Sequence, residues 1–337
     1  MSENDAILKV NGLKTYFYQA SGVSKAVDGV SFSLRQGTTM GIVGESGSGK
    51  SVTSASVMRL MPSKTGKIVD GSIIFDGVDI RNLSEAQMEK FRGDECCMIF
   101  QNPMTCLNPV YTIGKQVSEA ILIHQKVSKE EARERVIDIF RKVGIPEPEK
   151  RYSVYPHQLS GGLRQRVMIG MAMICNPMLM IADEPTTALD VTIEAQILYL
   201  MNQLQKEQGT AIIMITHNLG VVAESCDYVY VMYAGKIMEE APVRALFKNP
   251  LHPYTYGLMN SIPKMTEVKE HLYTIRGLVP NLLNLPKGCR FCPRCDKAMK
   301  ICTMYQPDLY ELEDGHKVRC FLYNKEVMES GKQKNSD

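Results

Sequence analysis

The sequence predicts an α/β body built on a mainly parallel sheet, and two observations carry that reading. Short β-branched runs, Ser72 to Phe75, Met98 to Phe100, Leu179 to Ala182 and Ala211 to Ile215, alternate with helical segments, the order that covers a sheet with crossover helices. The apolar run Met40-Gly41-Ile42-Val43 leads into the glycine-rich stretch Gly44 to Ser51 and then into helix-forming sequence, as a phosphate-binding strand, loop and helix requires. A three-layer nucleotide-binding core is therefore expected.

The 337 residues exceed one average domain, so a main body plus an addition is expected. Hydrophobic residues at 44% and charged residues at 23% are ordinary for a globular protein and point neither to disorder nor to a membrane-embedded class. Thirty-nine basic residues against thirty-seven acidic ones, a net charge of +2, give no footprint for binding nucleic acid. The N-terminal MSENDAILKV carries an acidic pair where a secretory signal carries positive charge, and no apolar run follows. The expected location is the cytoplasm. Val167 to Ala182, the most apolar stretch, is too short to span a bilayer and is broken by Asn176-Pro177. It reads as a helix followed by a buried strand.

From Glu130 to Val143, Ala132, Val136, Ile139, Phe140 and Val143 recur at helical spacing with Arg133, Glu134, Asp138 and Lys142 opposite, and Gly144 follows as a C-terminal cap. This amphipathic helix is assigned to a helical insertion. After Glu240 the chain is punctuated by Asn249-Pro250, His252-Pro253, Ile262-Pro263, Val279-Pro280 and Leu285-Pro286, which predicts a separate C-terminal appendage. The expected division is a nucleotide-binding domain over 1–245, with the insertion at about 102–165, a C-terminal domain over 246–325 and a flexible tail over 326–337.

Gly44-Glu45-Ser46-Gly47-Ser48-Gly49-Lys50-Ser51 matches G-x-x-x-x-G-K-[ST]. Its glycines let backbone N–H groups cradle phosphate oxygens, Lys50 reaches the β and γ phosphates, and the Ser51 hydroxyl can ligate Mg²⁺ at the helix start beside Val52. Met178 to Ala182 is an apolar strand ending in Asp183-Glu184. Asp183 can hold Mg²⁺ through water, and Glu184 can polarise the water that attacks the γ-phosphate. Leu159-Ser160-Gly161-Gly162-Leu163-Arg164-Gln165-Arg166 offers a second phosphate nest, in which Ser160, Gly161 and Gly162 at a helix start can grip a γ-phosphate held by another subunit. The same residues also make an ordinary Ser-capped helix.

This last motif resembles the signature LSGGQ of the ATP-binding cassette (ABC) family, here LSGGL with Gln165 two positions later, and the resemblance implies that Gln165 joins Ser160, Gly161 and Gly162 at the nucleotide. The resemblance covers residues 1 to about 325. It implies an α/β P-loop NTPase core of the ABC ATPase type with an antiparallel β subdomain, the helical insertion and a small cysteine-rich C-terminal appendage. By the same resemblance Phe17, or else Tyr16, stacks on adenine, and Gln101 is the Q-loop glutamine that touches Mg²⁺. Ala188-Leu189-Asp190 is the D-loop, with Asp190 crossing a dimer interface, and His217 is the switch histidine that senses the γ-phosphate. The cofactors implied are ATP and Mg²⁺, with Ser51, Gln101 and Asp183 at the metal. The departure at Leu163 leaves the backbone nest intact.

Tyr155 to Gly162 and Asn249-Pro250-Leu251-His252-Pro253-Tyr254-Thr255 look like stretches typical of the di- and oligopeptide importer branch, and LSGGLRQRVMIGMAM looks like its "D"-type ATPase. That implies an ATP-hydrolysing subunit in a head-to-tail heterodimer with an "F"-type ATPase, at the cytoplasmic face of the membrane. Two permease subunits and an extracellular peptide-binding protein complete the implied assembly, and nucleic acid is not a partner. An importer of nickel, glutathione or another small solute shares the branch. A DNA-repair or chromosome-maintenance ATPase uses the same chemistry, but the interval Val52 to Leu159 holds no sustained heptads for its coiled coil.

Ten cysteines in a reducing compartment do not suggest disulfides, and five of them fall between Cys289 and Cys320. Four thiolates suit either tetrahedral Zn²⁺ or an iron–sulfur cluster. Cys289, Cys295, Cys302 and Cys320 resemble the pattern that in peptide-importer ATPases is associated with a four-iron, four-sulfur cluster. The surplus Cys292 creates Cys289-x₂-Cys292-x₂-Cys295 and is either a substitute ligand or a free thiol. Cys96, Cys97, Cys106, Cys175 and Cys226 read as packed small residues.

Overall fold

A computed structural model describes residues 6–62, 64–101, 106–187, 189–261, 273–312 and 315–327. Its strands are β1 (Ala6–Gln19), β2 (Gly22–Arg35), β3 (Thr39–Val43), β4 (Gly66–Phe75), β5 (Val78–Asp79), β6 (Cys96–Ile99), β7 (Leu179–Asp183), β8 (Ala211–Thr216), β9 (Tyr228–Tyr233), β10 (Lys236–Pro242), β11 (Tyr310–Glu311) and β12 (Lys317–Val318). Its helices are α1 (Lys50–Val57), α2 (Glu85–Lys90), α3 (Ile113–His124), α4 (Lys129–Lys142), α5 (Pro148–Arg151), α6 (Gly161–Met173), α7 (Val191–Gln208), α8 (Leu219–Ser225), α9 (Val243–Lys248), α10 (Pro253–Asn260) and α11 (Lys300–Met304). They form two compact units, each assembled from separated stretches of chain: Met1–Lys9, Ser33–Thr39 and Ile73–Thr216 in the first, Val10–Phe32, Met40–Ser72 and His217–Asp337 in the second.

In the first unit β6, β7 and β8 lie parallel, with Cys96 opposite Leu179 and Ile181 opposite Ile213. Every residue of β7 and β8 is buried, which is why both read as unbroken apolar runs rather than alternating ones. The expected amphipathic helix is α4. Ser128 starts it by accepting the Glu131 N–H at 3.1 Å, its buried face is Ala132, Val136, Ile139 and Phe140, and Gly144 follows in the left-handed region at φ +74°. Burying a side chain the size of Phe140 contributes about 1.5–3 kcal/mol. Helix α4 packs on α3, both pack on α6, and α6 lies against β6. The insertion is thereby tied to the parallel strands through the helix that opens on Ser160. Residues 102–105, at the start of the expected insertion, lie outside the described residues.

In the second unit β3 runs parallel to β9, with Met40 opposite Tyr228 and Val43 opposite Val231. β9 turns back antiparallel into β10, which pairs antiparallel with β12, and β12 with β11.

One sequence expectation is corrected here. The run Ser72 to Phe75 belongs not to the parallel strands but to β4, which pairs antiparallel with β5. Asp76 and Gly77 between them hold φ +45° and +80°, the two left-handed residues of a tight hairpin turn. The C-terminal stretch, expected as a domain of its own from 246, lies in one compact unit with the Gly44–Ser51 loop, where β12 pairs with β10 and β11 with β12. Glu239, fully buried in β10, fastens it by accepting the N–H groups of Leu251 at 2.7 Å and His252 at 2.8 Å and by bonding His316 Nε2 at 2.7 Å. A buried carboxylate is stable only with such a set of partners. Of the expected tail, residues 328–337 lie outside the described residues, as do 262–272 with Ile262-Pro263.

Candidate active site

The glycine-rich loop leaves the fully buried β3 and enters α1. A Cβ on Gly44 would stand 2.1 Å from the Met232 carbonyl oxygen and one on Gly49 2.3 Å from that of Ala26, so neither position admits a side chain. Both also hold positive φ, +152° and +104°, and Gly47 needs its own +76° though nothing crowds it. Lys50, 6% exposed, folds back so that Nζ donates to the carbonyl oxygens of Gly44 at 2.8 Å and Glu45 at 3.0 Å. Helix α1 begins on Gly49 with no side-chain cap. Its first N–H groups and the lysine charge together make the environment an anion requires. Within the same loop the buried Ser48 Oγ has no hydrogen-bond partner among the described residues, while Ser46, Gly47 and Ser51 are exposed and Val52 is half-buried. A phosphate group fits this cradle in charge, in donor chemistry and in the close backbone approach the glycines allow.

On β1 of the same unit, Phe17 is half-buried and a Cβ on Gly66 would meet its ring edge at 3.1 Å. Tyr16, the other candidate for adenine stacking, has its hydroxyl committed to Asp28 Oδ1 at 2.7 Å. Both rings are half-buried.

In the first unit Asp183, 6% exposed, ends β7. Glu184 follows at φ +49°, a left-handed conformation uncommon outside glycine and concentrated at functional sites. Its N–H donates to the Ile215 carbonyl at 2.8 Å, and its Oε2 accepts from Gln101 Nε2 at 2.7 Å and Thr187 Oγ1 at 3.0 Å. The structure therefore brings together Gln101 and Glu184, two of the three residues expected to be catalytic. Thr187 was not foreseen, although its place three residues after Glu184 is a visible signal. A carboxylate fixed by two donors on a constrained backbone can hold and polarise a water molecule. His217, the third expected residue, directly follows β8 and is exposed at the start of the second unit.

Ser160 caps α6, its Oγ accepting the Leu163 N–H at 3.4 Å. Open space surrounds a Cβ placed on Gly161, whereas one on Gly162 would touch Ile193 Cγ2 at 3.0 Å. Gln165 departs from the sequence expectation of a nucleotide contact. It is 1% exposed and its Nε2 donates to the Pro185 carbonyl at 2.6 Å, so it secures the chain just beyond Glu184 and has no surface to present to a ligand. Asp190 is exposed and caps α7, accepting the Ile193 N–H at 2.9 Å. Ala188 of the expected D-loop lies outside the described residues.

Cys289, Cys292, Cys295, Cys302 and Cys320 line one cavity together with His252 and Phe291. Burial pushes the Cys289 thiol up to about 11 and the Cys320 thiol up to about 12. Among the described residues no group of three or more His, Cys, Asp or Glu side chains is arranged to hold a metal ion. Tetrahedral Zn²⁺, with Zn–S bonds of about 2.3 Å, would draw four sulfurs to within about 4 Å of one another. The expected iron–sulfur or zinc ligands thus share a cavity of suitable chemistry without a formed coordination figure. Of the five cysteines expected to be packed small residues, Cys96, Cys97, Cys175 and Cys226 are buried and Cys106 is half-buried. Burial raises the Cys175 thiol to about 11 and that of Cys226 to about 12.

The family model described as "ABC transporter" matches residues 27–187, and that described as "Oligopeptide/dipeptide transporter, C-terminal region" matches residues 238–302. The chain is 52% identical to the oligopeptide transport ATP-binding protein AppD of Bacillus subtilis (strain 168), over 96% of this chain and 98% of that protein. To the oligopeptide transport ATP-binding protein OppD of Escherichia coli (strain K12) it is 50% identical, over 96% of this chain and 95% of that one. Among solved structures it resembles the dimeric, post-hydrolysis state of the ATP-binding cassette MJ0796 bound to ADP and Pi. The TM-score is 0.63 at 26% identity, with 70% of this chain and 99% of that one covered.

Proposed function

The chain belongs to the ABC transporter family, and from that membership we propose that it is the ATP-binding and ATP-hydrolysing subunit of a bacterial importer of di- and oligopeptides. The single observation that carries the peptide cargo is the likeness to oligopeptide transport ATP-binding proteins across 96% of the chain, C-terminal region included. No helix among the described residues is long and apolar enough to cross a membrane. In this reading cargo passes through separate permease subunits that receive peptide from an extracellular binding protein, and the chain docks peripherally at the cytoplasmic face.

Lys50 and the backbone of Gly44 to Ser51 bind the β and γ phosphates, and Phe17 stacks on adenine. Ser51, Gln101 and Asp183 would hold Mg²⁺, which supplies charge neutralisation on the phosphate oxygens. Glu184 orients the attacking water and takes its proton, and His217 contacts the γ-phosphate. Ser160, Gly161 and Gly162 complete the site of a second, "F"-type ATPase in a head-to-tail pair, with Asp190 at the interface between the two chains. The likeness of the cysteine pattern to that of peptide-importer ATPases is the ground for a thiolate-ligated cluster on Cys289, Cys295, Cys302 and Cys320, with Cys292 as the alternative ligand, all five lining one cavity. Stoichiometric iron in the anaerobically purified full chain is the expected result, and its absence removes the cluster from this reading.

Uptake of a labelled pentapeptide by cells deleted for this chain tests the cargo. Uptake is expected to vanish on deletion and to return with the wild-type chain, while nickel and glutathione uptake stay at the parental level. Loss of nickel or glutathione uptake with peptide uptake intact overturns it.

A further inference from the structure

The glycine-rich loop is gripped from outside by side chains of the C-terminal region, all within the second unit. The Glu45 N–H donates to the hydroxyl of Tyr254 at 2.8 Å, and Glu45 Oε2 accepts from Arg294 Nη1 at 2.8 Å. Neither partner is adrift. Tyr254 is fully buried among Tyr233 and Phe291, at ring-centroid distances of 4.7 and 5.3 Å. The Arg294 side chain is 6% exposed, and its Nε and Nη2 donate to the carbonyls of Arg276 at 2.9 Å and Ile275 at 3.3 Å.

The opposite flank of the loop is held as well. The Gly235 N–H donates to the Ser48 carbonyl at 2.8 Å, and the Asp28 N–H donates to the Gly235 carbonyl at 2.9 Å. Arg290 then binds the carbonyl of Ala234 and the carboxylate of Asp28 together. Arg290 and Arg294 stand four residues apart in the segment that also places Cys289, Cys292 and Cys295 on the cysteine cavity.

We propose that Tyr254 and Arg294 are positioning residues for ATP binding, which set the phosphate loop by holding Glu45. The peptide plane explains how. The Gly44 carbonyl and the Glu45 N–H belong to one trans peptide unit and point in opposite directions. Tyr254 draws the N–H outward, and the carbonyl is thereby aimed inward, where it receives Lys50 Nζ at 2.8 Å. Tyr254 thus sets the anchor of the lysine that meets the phosphates. Arg294 acts on charge. A carboxylate beside a triphosphate site repels the ligand, and the buried guanidinium pairs the Glu45 carboxylate and fixes its direction. This role rests on the ATP-binding reading of the loop.

MgATP affinity of the full chain tests the proposal in Tyr254→Phe, which removes only a hydroxyl, in Arg294→Met, in Glu45→Gln and in the double variant Arg294→Met/Glu45→Gln. Tyr254→Phe and Arg294→Met are each expected to weaken MgATP binding about five- to tenfold, the size of coupling typical for directly bonded neighbours. In the assembled transporter the KM for ATP rises while kcat at saturating ATP stays within about twofold, because only uniform binding is lost. On the Glu45→Gln background Arg294→Met should add less than about a twofold loss, because its partner charge is already gone. Unchanged affinity in Tyr254→Phe overturns the proposal, and so does an equal loss from Arg294→Met on both backgrounds. Should Arg294→Met fail to fold, Tyr254→Phe decides alone. A wild-type chain that does not bind MgATP refutes the ATP site itself, whereas wild-type affinity that survives every one of these variants refutes only the brace.

Discussion

Glu184→Gln is expected to lower ATP turnover by the assembled transporter by about 10²–10⁴-fold, the contribution general-base catalysis makes, while MgATP affinity of the chain stays near the wild-type value. The substitution is close to isosteric. A glutamine carbonyl oxygen still accepts from Gln101 and Thr187 where the Glu184 carboxylate now does, at 2.7 and 3.0 Å, and the backbone bond to Ile215 is untouched. The proton acceptor alone is removed. Steady-state phosphate release at saturating ATP measures this, and turnover within a few-fold of wild type would exclude Glu184 as the base.

The second large effect falls on binding. Lys50→Ala should weaken MgATP affinity about 10- to 100-fold, the range of one or two hydrogen bonds to a charged group. The loss has two sources. The ammonium no longer meets the phosphates, and the carbonyls of Gly44 and Glu45 lose the bonds from Nζ, at 2.8 and 3.0 Å, that now brace the loop. Equilibrium titration with MgATP separates the two residues: Lys50→Ala shifts the affinity, Glu184→Gln does not. A Lys50→Ala chain that binds as tightly as wild type would contradict the phosphate role.

How far these residues were legible depended on sequence distance. The loop Gly44 to Ser51 and the strand ending at Asp183 were readable because strand, turn chemistry and helix start all lie within a dozen residues. Helix α4 was readable for the same reason, its period and its Gly144 stop being local. The hairpin at Asp76-Gly77 was also local, but its neighbour Ser72 to Phe75 has the composition of a parallel core strand, and composition alone does not fix a strand's partner. β11 and β12 are two residues each and exist through pairing, β12 with β10 and β11 with β12, so no periodicity announces them. Burial of Gln165 against Pro185 depends on a contact twenty residues away. The bond from Arg294 to Glu45 spans 249 residues, and nothing near either residue signals the other. What the sequence withheld was the set of contacts in which one end of the chain shapes the other.

ATP turnover of the complete transporter in proteoliposomes, measured with and without oligopeptide-loaded binding protein, tests most directly that this chain is the ATPase of a peptide importer. Turnover that rises when loaded binding protein is added, and that disappears when the chain carries Glu184→Gln, is the predicted result. Turnover indifferent to oligopeptide, or undiminished by Glu184→Gln, would contradict it.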